Sequence, residues 1–131
     1  MEANVQMEVI PEDGVRVFTE GNVVRLSFDF TEAEAPAGMD EKAEAPVTYN
    51  CYSVDVRSRQ YGVIVAAIVK ERYPIDVEQA VIANYEDAKE EGNTLSEEKR
   101  NEYVEEYEEY QAWRKHAKEV ARIAVAKLEA L

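Results

Sequence analysis

Val24, Leu26, Phe28 and Phe30 alternate with Arg25, Ser27 and Asp29, the period-two pattern of a strand with one buried face. Val15 to Thr19 is a second β-prone run, and the intervening Glu20-Gly21-Asn22 supplies residues that tolerate positive φ. Residues 15–30 are therefore expected to fold as one tight hairpin. Val5, Met7 and Val9 also alternate with polar neighbours, and Pro11 with Asp13-Gly14 punctuates the passage into that hairpin. Val47 to Val56 alternates less cleanly but is rich in β-formers. Three or four antiparallel strands are expected in the first 56 residues. Between them, Thr31 to Pro46 is dominated by Ala, Glu and Pro around Gly38 and Met39, buries little, and is expected to be an exposed, mobile loop.

The second half changes period. Tyr61 to Tyr73 mixes β-branched Val63-Ile64-Val65 and Ile68-Val69 with Ala66 and Ala67. Its length and the central alanines favour a buried helix ending at Tyr73-Pro74, where the residue before proline resists the α region. A second helix is expected from about Asp76 to Lys89, with Asp76 as the cap, Gln79 reaching back from the third position and Ile75 as a staple residue. Gly92 and Asn93 end it.

A third helix starts at a capping-box pattern, Thr94 with Glu97, and nothing breaks it before Leu131. About 35 residues at 1.5 Å each span about 50 Å, against a radius of gyration of about 14 Å for a domain of this length. Part of the helix is therefore expected to protrude or to pack on another chain. Tyr103, Tyr107, Tyr110, Arg114, Ala117, Ala121, Ala124, Leu128 and Leu131 follow one another at 4-3-4-3 intervals, the a/d seam of a heptad in which only Arg114 departs from the pattern. Trp113, Val120, Ile123 and Val125 widen the stripe in the C-terminal half. Two readings stay open: the stripe packs on the protein's own helices, or it makes a seam between two copies.

Charge changes the picture. The 131 residues carry 28 acids against 15 bases, a formal net charge of −13, and the charges are segregated: −9 over 1–56, +3 over 57–73, −10 over 74–112 and +3 over 113–131. An acidic chain without a basic arm is a poor ligand for DNA, RNA or anionic lipid, so neither direct nucleic-acid nor membrane binding is expected. Glu98, Glu102 and Glu106 are four residues apart, as are Glu105 and Glu109, and each like-charged pair at that spacing costs a few tenths of a kcal/mol. A basic partner laid on Glu102, Glu105, Glu106 and Glu109 would relieve that repulsion, with Tyr103, Tyr107, Tyr110 and Trp113 available for anchoring contacts. These residues, with Leu128 on the seam, are the candidate partner-binding set.

Catalytic chemistry is thin. His116 is the only histidine, so neither a two-His metal motif nor a facial triad can be drawn; it sits among Lys115 and Lys118 on the expected helix, far in sequence from Cys51. Cys51 falls inside an expected strand and reads as a small packed residue. The five glycines, at 14, 21, 38, 62 and 92, form no phosphate-binding loop. Acid pairs are plentiful but nothing singles one out. No catalytic residue, cofactor or metal is expected. One Cys, no secretory signal pattern and no apolar run of about 20 residues point to an intracellular protein.

The string Tyr61 to Val69, the Arg72-Tyr73-Pro74 break, the run Gln79 to Tyr85, and Tyr110-Gln111-Ala112-Trp113-Arg114 followed by Lys118 resemble small proteins encoded in phage and prophage structural-gene regions, over about residues 48–127. The resemblance implies a virion component or tail-assembly factor, located in the host cytoplasm or the virion, with other virion proteins as partners. It carries over no functional residue. The combined expectation is one α+β domain: an N-terminal antiparallel sheet of three or four strands, two packed helices and one long C-terminal helix. Its expected role is non-enzymatic and structural, through protein contacts, with a homo-oligomer through the C-terminal helix as one form. An acidic inhibitor that mimics nucleic acid and fills the groove of a basic host protein is the alternative.

Overall fold

The computed structural model describes residues 2–6, 10–33 and 48–131. Four strands, β1 (Glu2–Gln6), β2 (Val15–Glu20), β3 (Val23–Glu32) and β4 (Thr48–Val56), precede three helices, α1 (Tyr61–Arg72), α2 (Ile75–Lys89) and α3 (Glu97–Glu129). The α+β architecture expected from the sequence is the one observed. The strands form one antiparallel sheet in the order β1-β4-β3-β2. Met7 and Val9 of the first alternating run, and residues 34–47 of the expected loop, lie outside the described residues, while Thr31 and Glu32 prolong β3.

The hairpin forms as its pattern requires. Glu20 pairs with Val23 and Val15 with Phe28, leaving Gly21-Asn22 as a two-residue loop. Gly21 has φ 58°, and Asn22 stays in the negative region, the φ pattern of a type II′ turn that matches strand twist. Val24, Leu26 and Phe28 then fall on one face beside their β4 partners Val56, Val54 and Tyr52, and the helices cover that face. The opposite face carries the cross-strand pair Arg25–Asp55, closed by two hydrogen bonds of 2.8 and 3.1 Å.

The length of α3 is explained by its neighbours. Trp113 Nε1 donates to the Ile68 carbonyl at 3.2 Å, Tyr110 meets Tyr73 and Glu78, and Tyr107 stacks on Tyr85. Rising numbers on α1 and α2 thus meet falling numbers on α3. Both shorter helices run antiparallel to α3, one after the other along it, so together they line most of its length of roughly 50 Å. From Tyr110 onward the α3 stripe closes the core: Tyr110, Trp113, Ala117, Val120, Ala121, Ala124 and Leu128 are buried with Leu26, Phe28, Ile64 and Ile68. The three alanines are fully buried, which lets the helix approach its neighbours closely. Of the two readings of the stripe, packing within the chain is what this half shows.

Local details differ from expectation. α1 is helical as its length suggested but is not enclosed: only Ile64, Ile68 and Val69 are buried. α2 begins at Ile75 with Pro74 at the cap position, two residues earlier than the Asp76 cap signal, so Asp76 sits in the first turn and does not serve as the cap. α3 is capped by Ser96, whose Oγ accepts from the Lys99 N–H at 3.1 Å, rather than by Thr94. At the end of α2, Asn93 Nδ2 donates to the carbonyls of Ala88 and Glu90, satisfying groups that a helix C-terminus leaves open.

Candidate functional site

The acids between 97 and 109 gather on a limb made by α2 and the first half of α3. Glu98, Glu102, Glu105 and Glu109 succeed one another at intervals of four, three and four residues, so they share one helix face, and all four are exposed. Of the two cations in this half of α3, Lys99 and Arg100, one pairs with the row among the described residues: Lys99 Nζ lies 3.5 Å from the Glu102 carboxylate; both side chains are about half exposed, where such a pair contributes little. Glu106 is half-buried. On α2, Asp76 and Asp87 are exposed without an ion pair among the described residues, and Glu86 is bridged by Lys89 at 3.1 Å.

The aromatic members of the candidate set lie elsewhere. Tyr107 is stacked on Tyr85, centroids 3.8 Å apart and planes within 1°, and its hydroxyl accepts from Gln111 Nε2 at 2.7 Å. Tyr110 is buried and donates to Glu78 Oε2 at 2.7 Å. Burial, reinforced by that carboxylate, pushes its phenol up to about 12. Trp113 is buried against Tyr52 and Phe28, 5.3 and 6.2 Å between centroids, and Leu128 is 4% exposed in the same core. Tyr110, Trp113 and Leu128 are therefore structural in this chain, because the periodicity that suggested a seam is satisfied by α1, α2 and the sheet. Tyr103 is half-buried with Lys99 Nζ 5.0 Å from its ring centre. Glu102, Glu105 and Glu109 are brought together and turned outward; the rings behind them hold the limb.

One polar pair escaped the sequence pattern. Asp29 and Phe30 together face Cys51 in a β-bulge between the Phe28–Tyr52 and Thr31–Asn50 pairs, and Asp29 has φ 55°. Its Oδ1 lies 2.7 Å from Nε2 of His116. The imidazole contacts Phe28 and Trp113 edge-on or tilted, so it ties α3 to the end of the sheet. The tolerance of Asp for left-handed backbone was a signal in hindsight, but alternation alone cannot locate a bulge. Cys51 is packed as expected, its thiol pushed up by burial. Among the described residues, no three His, Cys, Asp or Glu side chains are gathered as for a metal ion, and no helix is long and apolar enough to cross a membrane.

No family model matches the chain, and neither a curated protein nor a solved structure matches it.

Proposed function

We propose that this is a non-enzymatic assembly or structural protein of phage type, acting through protein contacts, and that the acidic face of the α2–α3 limb is its partner-binding surface. The observation that carries the reading is the row Glu98, Glu102, Glu105 and Glu109, exposed, on one face and nearly unneutralised. Such a row costs helix stability, and a basic partner would recover it while gaining in association rate. The phage assignment rests on the resemblance of residues 48–127, which implies partners among virion proteins and a chain found in the host cytoplasm or the virion.

The test is capture of the products of neighbouring structural genes by the purified chain and by the Glu98→Gln/Glu102→Gln/Glu105→Gln/Glu109→Gln variant. One product should bind the wild type and lose at least about tenfold in affinity, or roughly 1.4 kcal/mol, to the variant. Equal binding to both would remove the limb from the interface. Capture of a host nucleic-acid-binding protein instead, released steeply by salt, would favour the nucleic-acid-mimic alternative.

A further inference from the structure

The strand order β1-β4-β3-β2 leaves β2 at an edge of the sheet, where backbone groups not used in pairing are open to another strand. The hairpin decides which groups these are. A two-residue loop makes its flanking residues, Glu20 and Val23, a hydrogen-bonded pair, and such pairs recur at every second position. Glu20, Phe18 and Arg16 therefore bond to Val23, Arg25 and Ser27, while Val15, Val17 and Thr19 turn their N–H and C=O outward. Val15 shows this directly: its N–H donates to Asp13 Oδ1 at 3.1 Å and its carbonyl accepts from Lys127 Nζ, which also holds Asp13 at 2.6 Å. That clasp closes one end of the edge. Val17 and Thr19 have no such partner among the described residues, so their outward groups stay open. Val15 is buried under the helices, and alternation puts Arg16, Phe18 and Glu20 on the other face of the sheet. All three are exposed, Phe18 by 52%, and neither Arg16 nor Glu20 makes an ion pair among the described residues.

We propose that β2 adds edge to edge onto β2 of a second copy, antiparallel about a two-fold axis at Phe18, joining the two four-stranded sheets into one. A two-fold contact must complement itself, and this strand does so in one register. With Phe18 opposite Phe18, Val17 of each copy lies opposite Thr19 of the other, so the open N–H and C=O groups meet in hydrogen-bonded pairs. Arg16 then lies opposite Glu20 on the face that carries the phenyl rings, at non-hydrogen-bonded positions, where side chains come closest. Moving the axis to Val17 would require the groups of Val15 that the clasp holds, and moving it to Thr19 would set Phe18 against Glu20. Either shift separates Arg16 from Glu20. Residues 16–20 alone make a contact well below the roughly 800 Å² per partner of a standard interface, so the dimer is weak and concentration-dependent. It leaves the acidic row of the limb free.

Light scattering and sedimentation of the full chain, up to about 1 mM in about 0.15 M salt, which screens the repulsion between two acidic copies, should show the mass rising from 14.9 kDa toward twice that value. Over the same range, amide exchange at Val17 and Thr19 should slow, because their N–H groups become bonded. Thr19→Pro removes one outward N–H without touching the ladder to β3; it should keep the circular dichroism and weaken the dimer at least about tenfold. Arg16→Glu, at an exposed position, should weaken it likewise by setting like charges opposite each other, and Arg16→Glu/Glu20→Arg should restore it. The quadruple Gln variant of the limb should dimerise like the wild type, so failure of the limb and failure of this contact are read separately. A wild-type monomer at the highest concentration, or a dimer in which Val17 and Thr19 exchange as they do in the monomer, would overturn the proposal. A charge-swapped double variant no better than Arg16→Glu would overturn the register.

Discussion

Leu128, 4% exposed, closes the far end of the α3 stripe inside the core. Leu128→Ala should cost about 2–5 kcal/mol, the transfer of the lost methyl groups plus the cavity they leave, read as a lowered denaturant midpoint. Leu128→Asp should abolish the fold rather than split an oligomer, because it places a carboxylate where no partner waits. Tyr110 gives a pH signature. Its phenol titrates near pH 10 in the unfolded chain and about 12 in the fold, so its contribution is complete below pH 10 and is lost as pH rises toward 12. Tyr110→Phe should flatten the alkaline limb of the stability profile, and it should lower neutral stability by about 1–2 kcal/mol by unpairing Glu78. At the acid end, the Lys127 ammonium beside Asp13 holds that carboxyl below its usual 3.8. Lys127 also donates to the Val15 carbonyl, so this tie to the edge of β2 should be intact above pH 3.8 and fail as pH falls through the lowered value. Acid titration of the wild type beside the Asp13→Asn variant, followed by fluorescence of Trp113, checks that loss: the wild type should lose this increment of stability and the variant should not.

At the level of elements, the acidic row opposes the helix that bears it. Replacing Glu98, Glu102, Glu105 and Glu109 by Gln should raise the thermal midpoint, since each relieved like-charged pair returns a few tenths of a kcal/mol; a lowered midpoint would show that these carboxylates support the fold. The hairpin, α2, α3 and the acidic row were legible because each is written in local spacing or an end signal: alternation around Leu26, stop and start signals around 74–76 and 92–97, the heptad stripe after Tyr103, acids at four-residue steps; α1, without a clear period, was read from its length and central alanines. What local spacing cannot carry is the identity of the packing partner. A heptad stripe looks the same whether it meets a second copy or, as with Trp113 on Ile68 and Tyr107 on Tyr85, the chain's own helices. The α3 cap moved from Thr94 to Ser96 because several residues there can bond a free N–H, and geometry chooses among them. The bulge at Asp29 follows from the joint register of β3 with β4, which no single strand encodes.

Across the whole molecule, charge segregation along the sequence becomes segregation in space. α1 and the C-terminal half of α3, net positive in sequence, pack together, while the net-negative α2 and the N-terminal half of α3 form the limb. The long helix is accommodated because α1 and α2 lie in series along it, so its apolar stripe is largely used within the chain. Among the described residues, the acidic row of the limb is left exposed on one face of α3. The proposed assembly role depends on that row. Carbodiimide labelling of carboxylates, read by mass spectrometry for the free chain and for its complex with the captured partner, addresses that surface residue by residue. Glu98, Glu102, Glu105 and Glu109 should be labelled in the free chain and protected in the complex, with Glu20 and Asp55 on the sheet unchanged. Equal labelling of the limb in both states, with protection confined to the sheet, would contradict the proposed interface.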